Sequence, residues 1–163
     1  MRSSVGIQVL GDDVVFLVQD SSLSREERIK QFLAEDPSLS ALLAVIHFEW
    51  TVRRAIIALG ISPNVVVRTK LKSCHGLNRY KDVWRDEVFT KVQLRLPEVV
   101  KNWDGLARAF RLRHRLVHGA TSCGTEYATE RVHWAIDATN DVRTICIANG
   151  INLDVRLPIR RCT

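Results

Sequence analysis

The sequence predicts a mainly α-helical bundle carrying a small β-hairpin at its N-terminal end. Three observations lead there. Apolar residues recur at helical spacing over most of the chain from Ser24 onward. Capping and breaking residues, such as Asp36-Pro37, Gly60, Pro63 and Pro97, interrupt that periodicity at intervals suited to helices. The clearest β-prone runs lie near the start of the chain, where Gly11-Asp12-Asp13 separates Ile7-Gln8-Val9-Leu10 from Val14-Val15-Phe16-Leu17-Val18.

Taken in order, the hairpin spans Ile7 to Val18. Ser24-x-x-Glu27 has the pattern of a capping box, in which hydroxyl and carboxylate satisfy free backbone N–H groups, and a first helix then runs to about Asp36. Asp36-Pro37 suits a cap followed by proline in the first turn; Leu39, Leu42, Leu43, Ile46, Trp50 and Ile57 then mark a long core helix ending at Gly60. Beyond Ser62-Pro63, helices are expected from about Asn64 to Cys74 and from Leu77 to Leu94, with Tyr80 and Trp84 toward the core. After Pro97, one helix runs from Glu98 to His118 and another from Thr125 to Asn149, the latter with Ala128, Val132, Ala135 and Val142 on one stripe. Residues 1–22 are thus a hairpin extension, 23–150 the bundle and 151–163 a basic C-terminal tail or edge strand.

A chain of 163 residues suffices for one sizeable core. Its ordinary apolar and charged content, with no low-complexity tract, excludes disordered and fibrous classes. The formal charge of +6 favours an anionic partner. Cys74, Cys123, Cys146 and Cys162 are scattered, without zinc-finger spacing, so no metal site or cofactor is expected. No stretch has the pattern of a signal peptide or a membrane span, and the expectation is a soluble, reduced, cytoplasmic protein.

The helix ending at Gly119 carries the chemistry. On a helical projection, Trp103, Leu106, Ala107, Phe110 and Val117 form an apolar stripe, and Arg113 and His114 fall inside it, where leucines are expected. A charge in that position needs a carboxylate, a ligand or a solvated cleft. Glu49, four residues before Arg53, either forms a helix salt bridge with it or reaches toward Arg113 or His114. His118 lies roughly 140° around the helix from Arg113. Gly119 suits the left-handed residue that lets the chain leave a helix. A second apolar strip, Ala109, Leu112 and Leu116, marks a helix that is either central or packed on another chain.

Arg113-His114-Arg115-Leu116-Val117-His118-Gly119 in a helical bundle resembles the R-x4-H motif of the HEPN superfamily. The resemblance implies a HEPN-like bundle and a metal-independent endoribonuclease that cleaves RNA to a 2′,3′-cyclic phosphate, as a toxin, a defence effector or an RNA-processing subunit. It also implies a homodimer with a composite site and an antitoxin or regulatory partner. Arg113, His118 and His114 would be catalytic, with Glu49 in support, as an acidic residue of the first core helix is in several HEPN groups. The roles of base and leaving-group acid stay unassigned, and Arg111, seven before His118, offers a second spacing. Arg108, Arg111 and Arg115 are the cations expected to follow the RNA backbone. A catalytically silent module binding nucleic acid or a partner is the alternative. Ala120 occupies the place of a tyrosine two residues after the motif histidine in HEPN toxins controlled by a nucleotidyltransferase, so that mode of control is not expected.

Overall fold

The computed structural model describes residues 21–162, and the expected hairpin lies outside them. Among the described residues are eight helices: α1 Ser22–Glu35, α2 Pro37–Leu59, α3 Asn64–Lys72, α4 Leu77–Glu87, α5 Phe89–Val92, α6 Leu96–Val99, α7 Trp103–Val117 and α8 Thr125–Ala148. There is no strand among them, so the fold is all α.

The long helix α2 is the axis of the bundle. It packs most extensively on α8, with α1 and α7 beside it. Phe48, Val52, Ala55, Ile56 and Leu59 are fully buried, each larger side chain contributing about 1.5–3 kcal/mol through loss of water contact. Asp36 caps α2 as its pattern predicts, its carboxylate accepting from the Leu39 N–H at 3.0 Å.

Four local expectations are corrected. The cap of α1 is Ser21 rather than Ser24, because the Ser21 hydroxyl accepts from the Ser24 N–H at 3.2 Å. The helix expected over 77–94 breaks at Val88. The one expected over 98–118 is a single turn, α6, and then α7, which begins anew where the Asn102 side chain accepts from the Gly105 N–H. Proline at the first turn of α6 satisfied the pattern, but Val100 is extended and ends that turn.

The fourth concerns residues 151–162, which are not a free tail. The Asp154 carboxylate accepts from the N–H and hydroxyl of Ser22, and the Arg54 guanidinium donates to the Leu153 carbonyl. Arg160 donates to the carbonyls of Ile57 at 2.7 Å, Ala58 and Ser62, satisfying the otherwise open C-terminal end of α2. A Cβ on Gly60 would stand 2.7 Å from the Ile56 carbonyl oxygen and 3.2 Å from the Arg160 side chain, so the end of α2 itself disfavours a side chain here. Beneath it, buried Glu87 takes hydrogen bonds from Ser62 and Lys70. Burial pushes its carboxyl up, but those bonds prevail and hold it below the usual range.

Candidate active site on helix α7

Helix α7 has two apolar strips, one expected to face the core and the other to be either central or packed on another chain, and the structure gives the core mainly to the second. Leu106 of the first strip is buried in the bundle, as are Ala109 and Leu112 of the second, with Leu116 packed at its edge. That strip is therefore core and is not free to meet another chain. Trp103, Ala107 and Phe110 lie instead at the boundary, lining an open groove of about 990 Å³. The physical reason is that α7 wedges between α2 and α8, and one helix can turn only one strip fully into that angle. Arg113 and His114 are thus not buried like leucines. His114 is exposed, and the Arg113 side chain is half-buried at 35 %.

Arg113 faces Glu49 of α2 across 3.6 Å, just outside hydrogen-bonding range. Glu49 is held from the other side: the Tyr80 hydroxyl donates to its Oε1 at 3.3 Å. Tyr80 accepts in turn from Arg53 Nε at 2.7 Å, while the rest of that guanidinium donates to the carbonyls of Leu71 and Cys74. Arg53 therefore does not pair with Glu49 directly; it anchors the tyrosine that does. Burial first, and the neighbouring Glu49 charge second, push the Tyr80 phenol well above its usual range, so it remains a donor at ordinary pH. The chain Arg53–Tyr80–Glu49–Arg113 runs from the buried side of α2 to the open end of α7.

At that end the rings of His114 and His118 lie 4.4 Å apart, centroid to centroid. His118 is the capping residue beyond the helix, so its direction is set by the cap rather than by helical projection. Gly119 adopts φ +65°, and the N–H groups of Gly119 and Ala120 donate to the carbonyls of Leu116 and Arg115. This is the Schellman arrangement, which needs a left-handed residue at Gly119 and brings His118 back beside His114.

The groove extends from His114 along α7 toward Trp103. Arg108, Arg111, Arg113 and Arg115 line it from α7, Arg131 and Tyr127 from α8, and His75 and Asn78 from around the start of α4. Among these described lining residues none is acidic. Arg131 stacks over the Tyr127 ring at 3.2 Å, and Arg115 donates to its hydroxyl at 3.1 Å. The structure thus places Arg108, Arg111, Arg113, His114 and Arg115 on one wall, with His118 and Glu49 next to that wall rather than on it. The sequence reading missed the Tyr80 hydroxyl, Tyr127 and Arg131. A signal for the last pair was present, since Tyr127 and Arg131 are four apart on one helix.

Among the described residues no cluster of His, Cys, Asp or Glu is placed to hold a metal ion, and no helix is long and apolar enough to cross a membrane. Comparison of the chain with family models, curated proteins and solved structures gave no match.

Proposed function

We propose that the chain is a HEPN-type, metal-independent endoribonuclease whose cleavage centre is formed by Arg113, His114 and His118. The observation that carries this reading is the adjacency of the two imidazoles, 4.4 Å apart, at the helix end where Glu49 orients Arg113. RNA brings its own nucleophile. One imidazole takes the proton from the 2′-hydroxyl as its oxygen bonds to phosphorus, and the other gives a proton to the 5′-oxygen as the P–O bond breaks, leaving a 2′,3′-cyclic phosphate and a 5′-hydroxyl. Because Glu49 stands outside hydrogen-bonding range, the Arg113 guanidinium keeps donors for the phosphate and for the charge that builds on the phosphorane.

A second copy belongs to the reading. With Ala109, Leu112 and Leu116 withdrawn into the core, the support moves to Ile46 and Val117, which are 39 % and 58 % exposed. They lie one turn from Glu49 and Arg113 respectively, on the same helix faces. A dimer closing over them brings two motif ends together.

The test is incubation of the purified protein with structured RNA in chelator, with end-group analysis. Cyclic phosphate termini from the parent, and none from His118→Ala or Arg113→Ala, are expected. Intact RNA across a broad range of pH and salt, with binding retained, would replace this reading with that of a silent binding module. Light scattering that returns the monomer mass at working concentration would remove the shared site.

A further inference from the structure

The groove is more than the approach to the motif. Cations alone would suffice to hold a phosphate backbone, yet the floor here is apolar and aromatic: Trp103, Ala107 and Phe110 are all partly open to it. Phe110 is braced from behind by Phe48, whose ring meets it edge-on at 5.9 Å, so its orientation is fixed. On the opposite wall Tyr127, 42 % exposed, carries Arg131 over its ring and accepts from Arg115 at its hydroxyl. The rim is basic throughout, with five arginines and two histidines lining the space. On the α4 side, Gly76 leaves the helix N-terminus without a side-chain cap, and its backbone N–H groups open beside these cations.

An aromatic floor under a cationic rim suits a nucleotide whose base is out of its stack, the base on the rings and the phosphate on the rim. It does not suit a duplex, whose bases are stacked inward and which offers this surface only phosphates and sugars. The distance along α7 from Trp103 to His114 is roughly 16 Å at the rise of an α-helix, enough for a short run of extended strand. We propose that this groove is a base-stacking subsite that seats unpaired nucleotides next to the scissile phosphate, so that the protein selects single-stranded RNA or loops over paired RNA. The inference rests on the ribonuclease reading only for where the scissile phosphate lies.

Binding is measured with short, fluorescently labelled 2′-O-methyl RNA, which lacks the nucleophile and is not cut, presented either as a single strand or annealed into a blunt duplex. The expected result is single-strand binding about tenfold or more tighter than duplex binding, weakened about tenfold by Trp103→Leu and largely kept by Trp103→Phe. Ala107→Phe, which fills the floor without removing a packed side chain, is expected to abolish the preference, and circular dichroism verifies that each variant is folded. Arg111→Gln should lower the salt dependence of log K by about one unit of slope. Equal affinity for strand and blunt duplex, or unchanged strand binding in both Trp103→Leu and Ala107→Phe, overturns the proposal; so does a glutamate-rich peptide that competes as well as RNA. The two readings fail separately. Cleavage of unmodified RNA with no preference for unpaired sites removes the subsite alone, whereas groove binding without cleavage removes the nuclease alone.

Discussion

Two clusters of the same residue types sit along α2, and they behave in opposite ways. In the first, His47 Nε2 lies 3.1 Å from Glu26 Oε1, and Arg143 Nη1 lies 2.9 Å from the same oxygen, with side-chain exposures of 0 %, 6 % and 15 %. In the second, two residues further along α2, Glu49 faces Arg113 at 3.6 Å with exposures of 17 % and 35 %, beside the exposed His114 and His118. Glutamate, arginine and histidine appear in both. The first is shut away from solvent: one carboxylate oxygen of Glu26 is shared by His47 from α2 and Arg143 from α8, and no open face is left for a ligand. The second is held on one side only, through Tyr80; its cation and His114 line a groove, with His118 beside it. Composition does not separate a structural triad from a candidate site. Burial and access do.

The comparison can be broken most severely at Glu26. Glu26→Ala would leave Arg143 without its carboxylate in a largely buried setting, and a loss of about 3 kcal/mol in unfolding free energy is expected from denaturant titration. A change below about 1 kcal/mol would show that water reaches this cluster and that it is less closed than its geometry indicates.

Next in size are the changes at the open cluster, which should separate activity from stability. His118→Ala is expected to reduce RNA cleavage by about a hundredfold or more, with the denaturation midpoint nearly unchanged because the ring is exposed. A variant that loses stability and activity together would make His118 a structural residue.

The closed cluster should also respond to pH. Burial is the main cause that lowers the His47 pKa below its usual value, outweighing the hydrogen bond to Glu26 that raises it. The unfolded chain therefore takes up this proton more readily than the folded one. The corresponding stability is complete above about pH 6.5 and falls as pH drops below that, toward the lowered folded-state pKa. Thermal melts of the parent from pH 8 downward should show this decline, and His47→Gln should flatten it; an identical slope in both proteins would assign the decline to other groups.

A small effect on stability is also expected at Glu49. Glu49→Gln removes a partly solvated pair beyond hydrogen-bonding range, and less than about 1 kcal/mol should be lost. Its mark should appear in kcat, since Arg113 would lose its orienting charge, while KM for a single-stranded substrate stays near the parent value. A shift in KM alone would place Arg113 in substrate binding rather than in the chemistry.

Much of the fold was legible in the residues. Asp36-Pro37 and Gly60 bound α2 within a residue of the expected limits, Gly119 takes the left-handed turn its position called for, and α8 starts at Thr125. These features depend on contacts only a few residues apart, which a sequence displays directly. The break between α6 and α7 was missed because Asn102 acts as a cap within a stretch whose apolar spacing continues across it. The contact between Glu49 and Arg113 joins residues far apart in the chain; the sequence offered it only as one of two options, the other being Arg53, which the structure ties to Tyr80 instead.

By itself the sequence determined which segments become helices, where most of them start and stop, and that two arginine- and histidine-bearing turns precede Gly119. Helical periodicity and capping are local, so the chain states them openly. Only the tertiary structure decided which apolar strip of α7 is core and which lines a groove, and that the 151–162 segment straps the end of α2. Both apolar strips satisfy the same periodicity, and burial goes to the one that fits the angle between α2 and α8. That geometry exists only once the three helices have packed.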